Sequence, residues 1–362
     1  MLSSVCLALA CPMSLALSPQ FSEVQRVFAA DGTAADRFGQ SVDVEGDVMV
    51  VGAYGRDDVD PANAFCISGA AYVFERVAGS WVQTAKLTAS DAHCRSYFGF
   101  TVATDGDSIV VGAYENDNAG SLGGTSCNGG AAYVFRRAGT GWVEEQRIIS
   151  STWDCGLSFG KALAIDGDTI AISAPTEPIA STLGAVYLFE FNGFAWIEAL
   201  RLERTTPSGL GTFGGSLALE RGTLVIGAER AGMQSRGEVH VYERSATGWM
   251  SAPSQVLAPV PSQSYAFGSD VALSGNTVAI SLTGGNAPRN SVHLYERAAG
   301  AWSYQRAFNG PPRSADTFTY YGWDIDLEGD TLVVGDKAAD DANGSQTCYS
   351  GAVHVYERTG PN

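Results

Sequence analysis

The sequence predicts an all-β protein of six four-stranded antiparallel sheets, on three observations. An aromatic-glycine pair recurs at Phe38-Gly39, Phe98-Gly99, Phe159-Gly160, Phe213-Gly214, Phe267-Gly268 and Tyr321-Gly322, with spacings of 60, 61, 54, 54 and 54 residues. From each aromatic to the first residue of the following "GA" pair, or of its counterpart, the count is 14 in every copy. Composition agrees: the 362-residue chain has 43 Gly and only 17% charged residues, a balance that suits short strands and many turns better than long surface helices.

Each copy follows one order. After the pair comes an alternating run such as "SVDV", "LALA" or "DIDL", then a tight turn, "EGD", "DGD" or "SGN", then an apolar run such as "VMVVGA" or "TLVIGA". A variable loop leads to a third run ("AAYVFER", "AVYLFEF", "EVHVYER"), and a short turn leads to a fourth that opens on Trp. Period-two alternation between Gly, Asp and Asn turns marks antiparallel hairpins, so each copy reads as a four-stranded meander. The Gly of the pair suits a positive φ or a close backbone approach, and its aromatic is large enough to fill the space between sheets. Six such sheets cover their faces by packing radially, which predicts a six-bladed β-propeller.

The fourth-strand Trp lies 17 residues before the next aromatic at Trp81, Trp142 and Trp196, and 18 or 19 before it at Trp249 and Trp302. The sixth copy has no such strand after "SGAVHVYERTGPN", but Phe21 stands 17 residues before Phe38 and opens "FSEVQRVFAADG". The N-terminal segment is therefore expected to complete the sixth blade and close the ring, with seven blades as the alternative. Residues 1–20 are uncharged, with an apolar run from Val5 to Leu17 broken by Pro12, and read as a signal segment ahead of a propeller spanning 21–362.

The aromatic-Gly pair followed at fixed distance by "GA" resembles the FG-GAP repeat, the propeller repeat of integrin α-chain heads and of many secreted bacterial proteins. The resemblance covers nearly all of residues 21–362 and implies an extracellular or periplasmic recognition or adhesion protein. Ser173-Ala174-Pro175 is the one copy with the family's Pro, where Tyr54, Tyr114, Glu229, Thr283 and Lys337 stand in the others. Integrin-like copies bind calcium through an acidic loop of the form DxDxDGxxD between the first two strands. Here that connection is Glu45-Gly46-Asp47, Asp105-Gly106-Asp107, Asp166-Gly167-Asp168 or Ser274-Gly275-Asn276, too short to supply the roughly 6–8 oxygens that Ca²⁺ takes. No cofactor is expected, and weak calcium binding by loop acids is the one metal chemistry left open.

A net charge of −17 argues against nucleic acid or anionic lipid; it either keeps a secreted protein soluble or suits cations or basic protein surfaces as partners. No segment after the first 20 residues reads as a membrane span, and a monomer is expected. Cys66 and Cys127 each precede a Cys, Cys94 or Cys155, by 28 residues, and both loops of such a pair emerge on the same face of the ring. Two disulfides, Cys66–Cys94 and Cys127–Cys155, are therefore expected, each contributing about 3–4 kcal/mol on the loop-entropy model, with Cys348 unpaired.

His240, His293 and His354 occupy the third-strand position held by Tyr72, Tyr133 and Tyr187, so they are repeat residues of separate blades rather than a metal triad. Glu75, Glu243, Glu296 and Glu357, each followed by Arg, recur as strand-end pairs. No Ser/His/Asp set, paired carboxylate or phosphate-cradling loop stands outside the repeat.

Loop length does break the pattern. The connections between the second and third strands are long in repeats one, two and six, which ring closure makes neighbours. Their acids Asp57, Asp58, Asp60, Glu115, Asp117, Asp340 and Asp341 are candidates for a cation or basic-ligand surface. The unpatterned aromatics Tyr97, Phe100, Trp153, Tyr320 and Trp323 are candidates for stacking on sugar rings. The expected function is non-enzymatic binding of protein or glycan through blades six, one and two. The alternatives are a glycan-active lyase or hydrolase, which needs acid and base groups converging at the channel mouth, and a structural surface protein without a discrete ligand.

Overall fold

The computed structural model describes residues 25–33, 35–60, 66–116, 128–152, 156–179, 182–204, 212–229, 231–232, 236–260, 265–284, 290–310, 320–336 and 352–358. Blade one comprises β1 (Val42–Glu45), β2 (Val48–Ala53), β3 (Ala70–Val77) and β4 (Ser80–Leu87). Blade two comprises β5 (Thr101–Asp105), β6 (Ser108–Ala113), β7 (Ala131–Ala138) and β8 (Gly141–Ile148), and blade three β9 (Leu163–Asp166), β10 (Thr169–Ile179), β11 (Thr182–Phe191) and β12 (Trp196–Glu203). In blade four, β13 (Phe213–Glu220), β14 (Thr223–Ala228) and β15 (Glu238–Ser245) are edged by two pieces, β16 (Gly248–Trp249) and β17 (Gln255–Leu257). Blade five comprises β18 (Tyr265–Ser274), β19 (Thr277–Gly284), β20 (Ser291–Ala298) and β21 (Ala301–Asn309), and blade six β22 (Tyr321–Glu328), β23 (Thr331–Asp336) and β24 (Ala352–Glu357). Strands in each sheet follow chain order and the first strands of successive blades adjoin, so the molecule is a six-bladed β-propeller.

The turns follow from their residues. Gly46, Gly106, Gly167, Gly275 and Gly329 open two-residue hairpins with φ of 54–60°, the left-handed geometry that a II′ turn takes at its first central position. In each blade the repeat aromatic packs edge-on against the third-strand ring of the same blade, from Phe98–Tyr133 at 5.3 Å to Phe213–His240 at 5.3 Å and Tyr321–His354 at 5.1 Å. The three histidines are thus packing residues, and burial lowers the pKa of His293 to about 4, leaving a neutral ring.

Successive blades meet backbone to backbone. A Cβ on Gly99 would lie 2.1 Å from the Ala70 carbonyl oxygen, one on Gly69 2.0 Å from that of Phe98, and one on Gly52 2.1 Å from that of Gly99. Gly112, Gly130 and Gly160 repeat the arrangement between blades two and three. The first residue of each apex adds a link around the axis: Asp105 accepts from Gly167 N, Asp166 from Arg221 N, Glu220 from Gly275 N, and Ser274 Oγ from Gly329 N. Between blades one and two Asp43 does this instead, accepting from Thr104 N at 2.7 Å. The strand-end charges also join blades rather than neighbours in sequence, as Arg137–Glu75, Arg297–Glu243 and Arg358–Glu296.

The N-terminal segment lies on the blade-one side of the ring closure. Gln25 bonds both ways with the Trp81 backbone, Nε2 donating to O at 2.7 Å and N donating to Oε1 at 2.8 Å. Gln146 on β8 holds Trp196, and Gln255 on β17 holds Trp302, in the same way. Residue 25 therefore stands beside blade one where the outer strand of a preceding blade stands, and Val27 and Ala29 pack on the blade-one core. Residues 21–24 lie outside the described residues, among which the sixth sheet has three strands.

The junction of blades six and one is looser than the other five. A Cβ on Gly39 would meet nothing within 4 Å, and Val42 is 54% exposed where its counterpart Val102 is 7%. Val353 on the facing blade is 66% exposed.

Gly39 and Gly99 share a φ near 85° but differ in what lies against them. Gly39→Ala should cost only the left-handed conformation, about 1–2 kcal/mol. Gly99→Ala must also force two backbones to separate and should cost about 3 kcal/mol or more. Urea unfolding of the two variants reads the difference directly, and equal costs would contradict the glycine contact as the junction.

Candidate functional site

The loops between second and third strands and the connections between blades emerge at one end of the ring. There the predicted disulfide joins Cys66 to Cys94, pinning the blade-one loop to the connection that enters blade two. Cys127, Cys155 and Cys348, and the candidates Asp117, Trp153, Asp340 and Asp341, lie outside the described residues.

The blade-one acids are largely engaged by their own loop. Asp58 pairs with Arg56 at 2.8 Å and with Lys86 at 2.5 Å. Hydrogen bonds and charges from these two bases hold its carboxyl below the usual range against the opposing effect of burial. Asp57 Oδ1 accepts from Val59 N and Asp60 N, closing a turn, and Asp60 is exposed. Burial, then the charge of Glu115, raises the Tyr114 pKa.

The aromatics converge. Tyr54, Tyr97, Tyr114 and Phe100 form a closed circuit of four rings, with centroid separations of 5.6 Å (Tyr54–Tyr97), 5.6 Å (Tyr97–Tyr114), 4.4 Å (Tyr114–Phe100) and 5.2 Å (Phe100–Tyr54). All four are half-buried. Lys161 of blade three sets its Nζ 3.9 Å from the centroids of both Phe100 and Tyr114. Arg37 lies over the opposite ring, Tyr54, and donates to its hydroxyl at 2.6 Å. Desolvation lowers the Lys161 pKa, while the nearby Glu115 charge opposes that shift.

These residues occupy three repeat positions: the one before the aromatic-Gly pair, the one after it, and the one after "GA". Those positions are mostly aromatic in blades one, two and six taken together and mostly small or polar in blades three to five. In blade six the first two hold Tyr320 and Trp323, with centroids 5.7 Å apart and Trp323 53% exposed. The sequence singled out Tyr97, Phe100, Tyr320 and Trp323 but missed Arg37 and Lys161. It noted Tyr54 and Tyr114 only as departures from the family's Pro.

A second feature lies on the first strands of blades five and six, where the charge of Asp324 acts on the carboxyl of Asp270. Asp270 accepts from Val271 N and Ile325 N. Burial, then the charge of Asp324, raises the Asp270 pKa to about 8 against the pull of those two amides. Burial likewise raises Asp324. Among the described residues no group of three or more His, Cys, Asp or Glu side chains is placed to hold a metal ion. No helix among them is long and apolar enough to cross a membrane.

Four-stranded blades packed radially define a β-propeller, one face of which carries the Cys66–Cys94 bridge and the four-ring circuit. The model of the FG-GAP repeat matches residues 21–74, 81–135, 142–189 and 314–356, more than half of the chain, and the chain belongs to that family. No curated protein matches it.

The raised Asp270 pKa has a fixed sign. The folded protein retains a proton that the unfolded chain releases near the ordinary carboxyl value, so its contribution is complete below about pH 4 and is lost as pH rises to about 8. Asp270→Asn should flatten the fall of Tm between pH 4 and 8 and match or exceed wild-type stability at pH 8. Parallel Tm–pH curves for the two proteins would contradict the assignment.

Proposed function

We propose that this propeller is a secreted or periplasmic, non-enzymatic recognition protein that binds protein or glycan through the decorated face of blades six, one and two. The observation behind this reading is the asymmetry of the repeat. Strand spacing hardly varies, yet six of the nine residues at three repeat positions are aromatic in the blades whose loops are long. Half-buried rings that the propeller core does not need supply contact area at little conformational cost. The Cys66–Cys94 disulfide supports an oxidising compartment and lowers the cost of ordering the blade-one loop on a ligand.

Shortening the loops at 55–65, 115–126 and 337–347 to the length in repeats three to five tests the reading. The shortened protein should keep its cooperative unfolding transition and lose the binding that wild type shows on a glycan array or in pull-downs from the native secretome. Equivalent changes in repeats three to five should leave binding intact. Full binding by a folded, loop-shortened protein overturns the proposal.

One observation favours a glycan-active enzyme as the second reading: on the first strands, burial and the charge of Asp324 from the adjacent blade raise the pKa of Asp270 toward neutrality. Turnover of any glycan that binds, abolished by Asp270→Asn, would move the protein into that class.

A further inference from the structure

We infer that the four-ring circuit binds an acidic sugar, a pyranose bearing a carboxylate of the uronate or sialate class; this rests on the recognition reading above and names its ligand. The charge at the site runs opposite to that of the whole protein. In a chain with 39 acids and 22 bases, most described Lys and Arg side chains are held by carboxylates. Arg37, Arg95 and Lys161 form no ion pair with described residues, and all three belong to this site or its connection. Arg37 and Lys161 lie over the rings, and Arg95 is an exposed residue two positions before Tyr97. Arg306, over Phe308 on blade five, is a further unpaired base away from it.

The chemistry of the circuit selects the ligand. Lys161 makes no hydrogen bond to a described residue, and its ammonium rests against two π-faces. Those faces attract the cation but cannot accept its three N–H groups as oxygen would. A ligand carboxylate beside Nζ supplies the missing acceptors in a partly desolvated place, where a charge-assisted bond is strongest. A cationic ligand would instead have to displace Lys161 and Arg37 from the same rings. The C–H face of a pyranose matches the half-buried Tyr and Phe surfaces between the two cations. Glu115 is near enough to Lys161 for its charge to act on the ammonium. The overall charge of −17 opposes long-range capture, so affinity comes from short-range contacts rather than steering.

The test titrates oligogalacturonate and neutral oligogalactose of equal length into the full chain by calorimetry. The acidic sugar should bind about tenfold tighter or more, the range of one charge-assisted bond. Lys161→Met should erase that preference for the acidic sugar. Arg95→Gln, on an exposed side chain, should weaken the preference without a folding defect and stands in if the Lys161 variant fails to fold. Equal affinity for both sugars overturns the inference and leaves the recognition proposal standing. If neither sugar binds but a secretome partner is captured in a loop-dependent way, the inference fails alone. If that capture is indifferent to the loops, the recognition reading fails as well.

Discussion

Everything in this propeller depends on the close approach of two backbones where one blade hands over to the next. At Gly52, Gly69 and Gly99 there is no room for a side chain, and the same is true at Gly112, Gly130 and Gly160. That approach lets the repeat aromatic sink fully between sheets, as Phe98, Phe159, Phe213 and Phe267 do. It also brings the apex acids within reach of the next blade's amides and the outer Arg within reach of the previous blade's Glu. Where serine replaces the "GA" glycine, the next blade's Gly is less constricted: a Cβ on Gly322 would lie 3.2 Å from Ser281 Oγ. The scaffold tolerates that change because the remaining links do not use this position.

The same devices explain why the junction of blades six and one differs. Gly39 faces open space, Val42 and Val353 remain exposed, and Arg76 pairs with Asp47 of its own blade rather than with Glu357. The N-terminal segment binds the blade-one side through Gln25 and packs Val27 and Ala29 on its core. Contact at this junction therefore comes from a segment at the other end of the chain rather than from the repeated glycine approach, which makes it the natural place for the ring to open first.

Much of this was legible in the sequence, because a repeat makes each copy a check on the others. Strand order, apex turns, the packing role of the histidines and the Cys66–Cys94 bridge all follow from position in the copy. What was not legible depends on distance from the axis. Equivalent residues of adjacent blades are far apart on the third strand, as with His240 and His293, but close on the first. Asp270 and Asp324 are such equivalents, and the effect of one charge on the other needs the ring to be seen. Lys161 has no signal in the repeat, and the structure lays it across two rings of the preceding blade. The loop acids Asp57 and Asp58 have partners within their own blade that composition does not reveal.

Function, on this account, is an exception written onto a uniform scaffold. Blades three to five keep mostly small or polar residues at three positions where blades one, two and six gather aromatics, and beside those rings stand cations with no carboxylate partner among the described residues. The most direct measurement is an NMR titration with selectively labelled Tyr and Phe, using the best-binding glycan from an array. Shifts should concentrate on Tyr54, Tyr97, Phe100 and Tyr114 while the rings of blades three to five stay still. Shifts confined to the opposite face or to blades three to five would contradict the assignment of binding to the decorated face.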